Sequence, residues 1–177
     1  MRRSLLKWEI AGVIIIIAMG VMLHFIYDWS GGFKPLALVA AVNESTWEHL
    51  KLAFWPALLW AGLEYAVLGF RLPNLLVAKT VSFYCTLAFI VLLVNIYTAI
   101  LGRHLLPVDI SIFCLAVALG QLVSFLVLEH RSFCVTANLF SLCLLVLILS
   151  AFSVFTFYPP DLPLFIDPKT GLKGIPG

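Results

Sequence analysis

Residues 80–102 read TVSFYCTLAFIVLLVNIYTAILG and hold no Asp, Glu, Lys, Arg or His. Lipid offers the backbone no hydrogen bonds, so a chain that crosses it must bond within its own segment, and a helix needs about 20 mainly apolar residues to do this. Working outward from this run, four more stretches read the same way. Residues 10–27 lie before it, with His24 the only ionisable group ahead of Asp28, and residues 47–70 carry Lys51 at their mouth and Glu64 at depth. After it come 109–129 and 132–158, the last stopped by Pro159 and Pro160, which cannot continue a helix. The sequence predicts an all-α integral membrane protein: a bundle of five transmembrane helices forming a single membrane-embedded domain over 1–177.

Composition agrees. Of 177 residues, 63% are hydrophobic and 11% charged, against about half and about a quarter in soluble domains, and the mean hydropathy of +1.09 is spread over several runs. Soluble, disordered and disulfide-scaffold classes are excluded. Cys85, Cys114, Cys134 and Cys143 all lie in apolar runs and read as core residues. A net charge of +2 leaves no basic tract for nucleic acid, so the partners expected are membrane lipids. The first run follows Arg2, Arg3 and Lys7, as a secretory leader would, but no A-x-A-like site follows it and it reads as a retained helix.

Lys and Arg near the span ends set orientation. With the N-terminus cytoplasmic, the inner side carries Arg2, Arg3, Lys7, Arg71, Lys79 and Arg131, and the outer side Lys34, Lys51, Arg103, Lys169 and Lys173. The inner charges sit tight against the spans, which favours N-terminus in, C-terminus out, in a bacterial inner membrane. His24, His49, His104, Asp28, Glu44, Glu48, Asp109, Asp161 and Asp167 then gather at the outer boundary, where any chemistry is expected.

Residues 35–42, PLALVAAV, are too short to span and suit a re-entrant or interfacial segment. They lead into NESTWEHLK at 43–51. Ser45 and Glu48 fit a capping box, in which the Glu carboxylate reaches back to the cap residue, so Glu48 is either a helix start or a catalytic carboxylate. Asn43 is an alternative cap, with Glu44 favoured by the helix dipole. At about 100° per residue, His49, Ala53, Pro56, Trp60 and Glu64 share one strip of the second helix. A carboxylate as deep as Glu64 is costly unless paired, neutral or wet, and is expected to face the bundle, with Tyr65, Tyr84, Gln121 or Asn138 as structural partners. About 22 Å of helix separates it from His49, so the two cannot share a site.

His24 and Asp28 lie on one face at the outer end of the first span, and His24, Asp28, Glu44, Glu48 and His49 reach the same boundary from two helices joined by a short loop. Two His and a carboxylate can hold a divalent metal such as zinc with one position open, the ligands then being His24, His49 and Asp28, or can act without metal as base and orienting partner. The tail, 159–177, keeps Leu162, Leu164, Phe165 and Ile166. It is expected to fold over the outer face and bury them, with Asp161 or Asp167 part of a lid.

HFIYDWSG at 24–31, NESTWEHLK at 43–51, LGQ at 119–121 and FYPPDLPLFIDPKTG at 157–171 resemble a family of small bacterial integral membrane proteins known only as a domain of unknown function. The resemblance covers essentially the whole chain. One departure is the end, GLKGIPG, where the family tends to carry an aromatic after the TG. The resemblance implies no activity, substrate or cofactor.

The reading favoured by these residues is a membrane enzyme at the outer leaflet, a hydrolase or an acyl- or phospho-transferase acting on a lipid or lipid-linked ester or phosphoester. His49 and His24 would serve as base or metal ligands, supported by Glu44, Glu48 or Asp28. The alternatives are a small-solute or cation transporter subunit, with Glu64, Asn95 and Gln121 lining a path, and a non-catalytic partner in a larger complex. Polarity concentrated at one edge favours the enzyme.

Overall fold

The computed structural model describes residues 2–69, 72–130 and 133–175. Five long helices follow one another: α1 (Arg2–Trp29), α2 (Thr46–Leu68), α3 (Leu75–Leu101), α4 (Leu106–Leu128) and α5 (Val135–Phe157). Among the described residues the only β-type pairing is one isolated bridge, Ile166 to Lys173. The fold is all-helical, and α1, α3, α4 and α5 are long and apolar enough to cross a membrane. At 23 residues α2 has the length as well, but it carries Glu48, Lys51 and Glu64, all buried. Its polarity is turned into the bundle. The expected span ends at Phe70 and Ser132 lie outside the described residues, as do Arg71 and Arg131.

Two helices begin well before their apolar runs, α1 at Arg2 instead of Ile10 and α3 at Leu75 instead of Thr80. Helical hydrogen bonding does not stop where hydropathy falls, and here the added turns carry buried charges. Consecutive helices run antiparallel, so the starts of α1, α3 and α5 and the ends of α2 and α4 share one end of the bundle. Arg2 on Glu129 marks that end. The tail and the 30–45 connection lie at the other, called here the tail end.

The first four helices close a ring, with α1 against α2 and α4, and α3 against α2 and α4, while α5 packs outside on α3. Small residues allow the approach, as between helices in lipid generally. Pro56 inside α2 has no N–H to give the carbonyl of Leu52, and that freed oxygen faces Gly20 of α1, where a Cβ would stand 2.7 Å from it. On the other side Ser82 Oγ donates to Gly120 O at 2.7 Å, and a Cβ at Gly120 would lie 2.0 Å from Thr86 Oγ1. Toward the tail end an aromatic core joins Phe54, Phe83, Phe152 and Trp47 across α2, α3 and α5. The cysteines are not core residues: Cys134 and Cys143 are exposed, and Cys85 and Cys114 are half-buried. A thiol is apolar enough to face lipid as readily as protein.

Residues 34–42 form a short 3-10 turn (Lys34–Leu38) and an irregular stretch in which Ala37, Ala40 and Val42 are buried with Tyr27. Irregular backbone in such a place must find partners. Glu48 Oε2 accepts from Val42 N at 3.0 Å, and Lys51 Nζ donates to Ala37 O at 2.7 Å and to Thr156 Oγ1 of α5 at 3.2 Å.

The tail is ordered over the tail end, as expected, but it buries less than expected. Phe165 plugs the aromatic core, 4.8 Å from Trp47 and 5.7 Å from Phe155, and Leu164 is half-buried. Leu162 and Ile166 are exposed, because the 3-10 turn Pro163–Phe165 directs one side chain inward and its neighbours out. Asn43 Nδ2 donates to Gly174 O at 2.8 Å and fixes the end of the tail to the start of α2.

Candidate functional site

At the tail end, α1 delivers His24, the connection delivers Glu44 and the first turn of α2 delivers His49. One ligand atom from each lies within 4.8 Å of the others. The two imidazoles meet edge to face with centroids 5.1 Å apart, and His49 Nε2 is 3.5 Å from Glu44 Oε2. Local structure produces this placement. Asn43 Oδ1 accepts from Ser45 N at 2.8 Å, and Ser45 Oγ accepts from Glu48 N at 3.4 Å, so the chain turns sharply at 43–45 and starts α2 with Ser45 as N-cap.

His49 Nδ1 lies 2.9 Å from Ser45 O, an atom that can only accept, so Nδ1 carries the proton and Nε2 keeps its lone pair toward Glu44 and His24. A carbonyl fixing one ring nitrogen while the other stays free is the usual support of a metal-ligating His. Glu44 Oε1 also takes Lys169 Nζ of the tail at 2.9 Å. Burial pushes the Glu44 carboxyl up, but the hydrogen bond and charge of Lys169, joined by His49 and His24 when these are protonated, outweigh it and hold the group below the usual carboxylate range. Two imidazoles and a carboxylate at this spacing, half-buried, form a set that could hold a cation.

The other expected site residues divide. Asp28, one turn beyond His24, is exposed and contributes no ligand atom to the group. Glu48 is buried and engaged with Val42 N and Lys51. Its carboxylate does not reach back to Ser45 N, because Asn43 has taken that donor, and half of the expected capping box is absent. Asp161 is exposed and paired with Lys173, which lowers its pKa. Asp167 closes the turn of the tail, accepting from Lys169 N at 2.7 Å. Burial raises it, but the backbone N–H groups of Lys169, Glu44 and Thr170, together with the Thr170 hydroxyl, more than offset that and leave it lowered. His104 and Asp109 form a separate group with Tyr97, His104 Nδ1 standing 3.6 Å from Asp109 Oδ2.

Near the other end, Glu64 faces inward and is paired with Lys79 of α3, not with the tyrosines or Asn138. Lys79 Nζ also bonds both oxygens of Glu9 on α1 at 3.0 Å, and Ser124 Oγ of α4 donates to Glu9 Oε1 at 2.7 Å. Gln121 is buried one turn from Ser124. Asn95 is exposed and bonds its own helix at Val91 O, so it is not brought to Glu64 and Gln121.

Glu9, Lys79 and Lys169 are the residues that sequence reasoning missed. For Glu9 a signal existed: Glu9, Gly12, Ile16 and Gly20 fall on one stripe of α1, and all four are buried. Lys79, directly before an uncharged run, carried no such mark. Over residues 1–175 the chain matches a family of unknown function (DUF6512), and it belongs to that family. No curated protein and no solved structure matches it.

Proposed function

We propose that this DUF6512 chain is a metal-dependent membrane enzyme that works at its tail end on a lipid or lipid-linked ester or phosphoester, through His24, Glu44 and His49. The observation that carries the reading is the convergence of those three ligand atoms with His49 held in the tautomer that ligates through Nε2. A divalent ion such as zinc, bound by two imidazoles and one carboxylate, would supply Lewis acidity and an acidified water at its open position. The chain's own residues do the rest. Ser45 O orients His49, Glu44 contributes the anionic ligand, and Lys169 beside it offers a cation to a phosphate or carboxylate of the substrate.

A lipid substrate is supported by the surroundings. Phe25 and Trp29 are exposed beside the site, and Phe25 stacks on both His24 and Trp29. Aromatic side chains of this kind settle at the membrane–water boundary. The orientation with the tail outside a bacterial inner membrane belongs to the same proposal. Lys51 and Lys79 are buried in ion pairs and drop out of the count, leaving Arg2, Arg3, Lys7, Arg71 and Arg131 against Lys34, Arg103, Lys169 and Lys173.

The test is elemental analysis of protein purified without chelator, paired with release of acid from an ester or phosphodiester lipid in mixed micelles. The expected result is about one divalent ion per chain, with both metal and turnover lost in His49→Ala and in Glu44→Gln and kept in His130→Ala. Metal content equal in wild type and His49→Ala, or turnover indifferent to chelation, would sink the proposal.

A further inference from the structure

The bundle holds a second charged group that the tail-end site does not use. Glu9, Glu64 and Lys79 are almost sealed from solvent, and fully ionised they carry two negative charges and one positive. An unbalanced charge in that setting is costly enough to demand a counter-charge. Among the described residues Lys79 is the only cation paired with either carboxylate.

The two carboxylates are not equivalent. Glu9 accepts from Lys79 on both oxygens and from Ser124, whereas Glu64 has the Lys79 ion pair alone and no hydrogen bond of proper geometry on either oxygen. The missing positive charge therefore belongs on Glu64.

Its chemical nature follows from the neighbours. One turn from Glu64 on α2 is Trp60, and one turn from Ser124 on α4 is Gln121. Trp60 Nε1 and Gln121 Nε2 are both buried without partners. Both converge on Gly12, where a Cβ would stand 2.5 and 2.0 Å from them. These are N–H donors, of the wrong polarity for a metal cation, which needs several oxygens around it. A proton needs one lone pair, and Glu64 Oε1, the oxygen away from Lys79, has one free. Gln121 also lines a small cavity with Ser82 and Thr86, of a size to hold a single water. Trp60 further forms a wall, with Lys7, Trp8 and Ala11, of a groove open at the surface.

We propose that Glu9, Lys79 and Glu64 form an intramembrane proton-binding site, with the exchangeable proton on Glu64 and access past Trp60 from the N-terminal end of the bundle. The charged groups facing Glu64 are Glu9 from α1 and Lys79 from α3, and α4 brings only the uncharged Ser124 to Glu9. The proposal does not depend on the metal site.

Infrared difference spectroscopy of the full chain in lipid nanodiscs, in H2O and in D2O, tests it. At neutral pH the wild type should show one buried carboxylic-acid C=O band that shifts in D2O. Glu64→Gln should remove it. Glu9→Gln should remove it as well, because Lys79 then balances an ionised Glu64 alone. If a variant fails to fold, the wild-type titration still decides, since the band must be present at neutral pH and must fade on alkalinisation. The absence of any such band, its survival in Glu64→Gln, or sodium-dependent stabilisation that Glu64→Gln removes would overturn the proposal.

Discussion

Lys51 has no exposed surface, yet its position near the start of a span suggests a juxtamembrane charge. Its ammonium joins three elements: the carbonyl of Ala37 in the 3-10 turn, Thr156 on α5 and Glu48 on its own helix. Removing one member of a buried pair strands the other, and the loss is dominated by the orphan charge. Lys51→Met should therefore cost about 3–5 kcal/mol, read from unfolding in mixed micelles. Adding Glu48→Gln should recover most of it, because the amide oxygen still accepts from Val42 N. A double variant as unstable as the single one would mean that the bond to Ala37, not the charge pair, is what holds the segment. The pairings of Lys51 and Lys79 were not legible in the sequence. Hydropathy registers that a lysine borders an apolar run, but not that Glu9, 70 positions from Lys79, arrives beside it on another helix. Glu64 was legible as an inward-facing residue, since its cost in hydrocarbon does not depend on which partner meets it.

Among the elements, α1, α3, α4 and α5 follow directly from their apolar runs, whereas the fit of α2 against α1 rests on single atoms. Pro56 strips Leu52 O of its helical donor, and the bare Gly20 lets that oxygen come close. A Cβ at Gly20 meets both Leu52 O and the Phe113 ring, 2.7 Å away in each case, and backbone cannot move aside as a flexible side chain would. Gly20→Ala should destabilise the bundle by about 1–3 kcal/mol, the usual cost of overpacking. The control is Gly62 on α2, where nothing lies within 4 Å of an added Cβ. Gly62→Ala should leave stability unchanged or slightly raised by reducing unfolded-chain entropy. Equal effects at the two positions would refute the close-packed seam. The sequence shows Gly20 and Gly62 alike as glycines within apolar runs and does not distinguish them, because the difference lies in what the opposite helix presents.

For the whole molecule, the decisive joint is the one between the tail and the bundle, and it is electrostatic as well as aromatic. The sequence indicated an ordered tail from its apolar residues and placed His24, His49 and Glu44 at one boundary. It did not show that Lys169 would return to Glu44, or that Asp167 would spend its carboxylate on the turn and on Glu44 N. Glu44, Asp161 and Asp167 all have lowered pKa values in the folded chain. A carboxyl lowered by folding binds its proton more weakly in the docked than in the detached tail. Its contribution is complete above the ordinary carboxylate range, about 4, and is lost as pH falls through the lower folded values. Acid therefore removes the anionic half of each contact. Phe165 between Trp47 and Phe155 does not titrate and should keep the tail partly seated. A nitroxide at the exposed Leu172→Cys, with the four native cysteines replaced by serine, should accordingly be immobile at pH 7 and loosen progressively below about pH 4. Adding Asp167→Asn should raise its mobility at pH 7 and flatten the acid transition, and adding Phe165→Ala should free the tail at every pH. A label whose mobility is the same at pH 7 and pH 3 would show that the aromatic plug alone holds the tail, with Lys169 on Glu44 contributing nothing measurable.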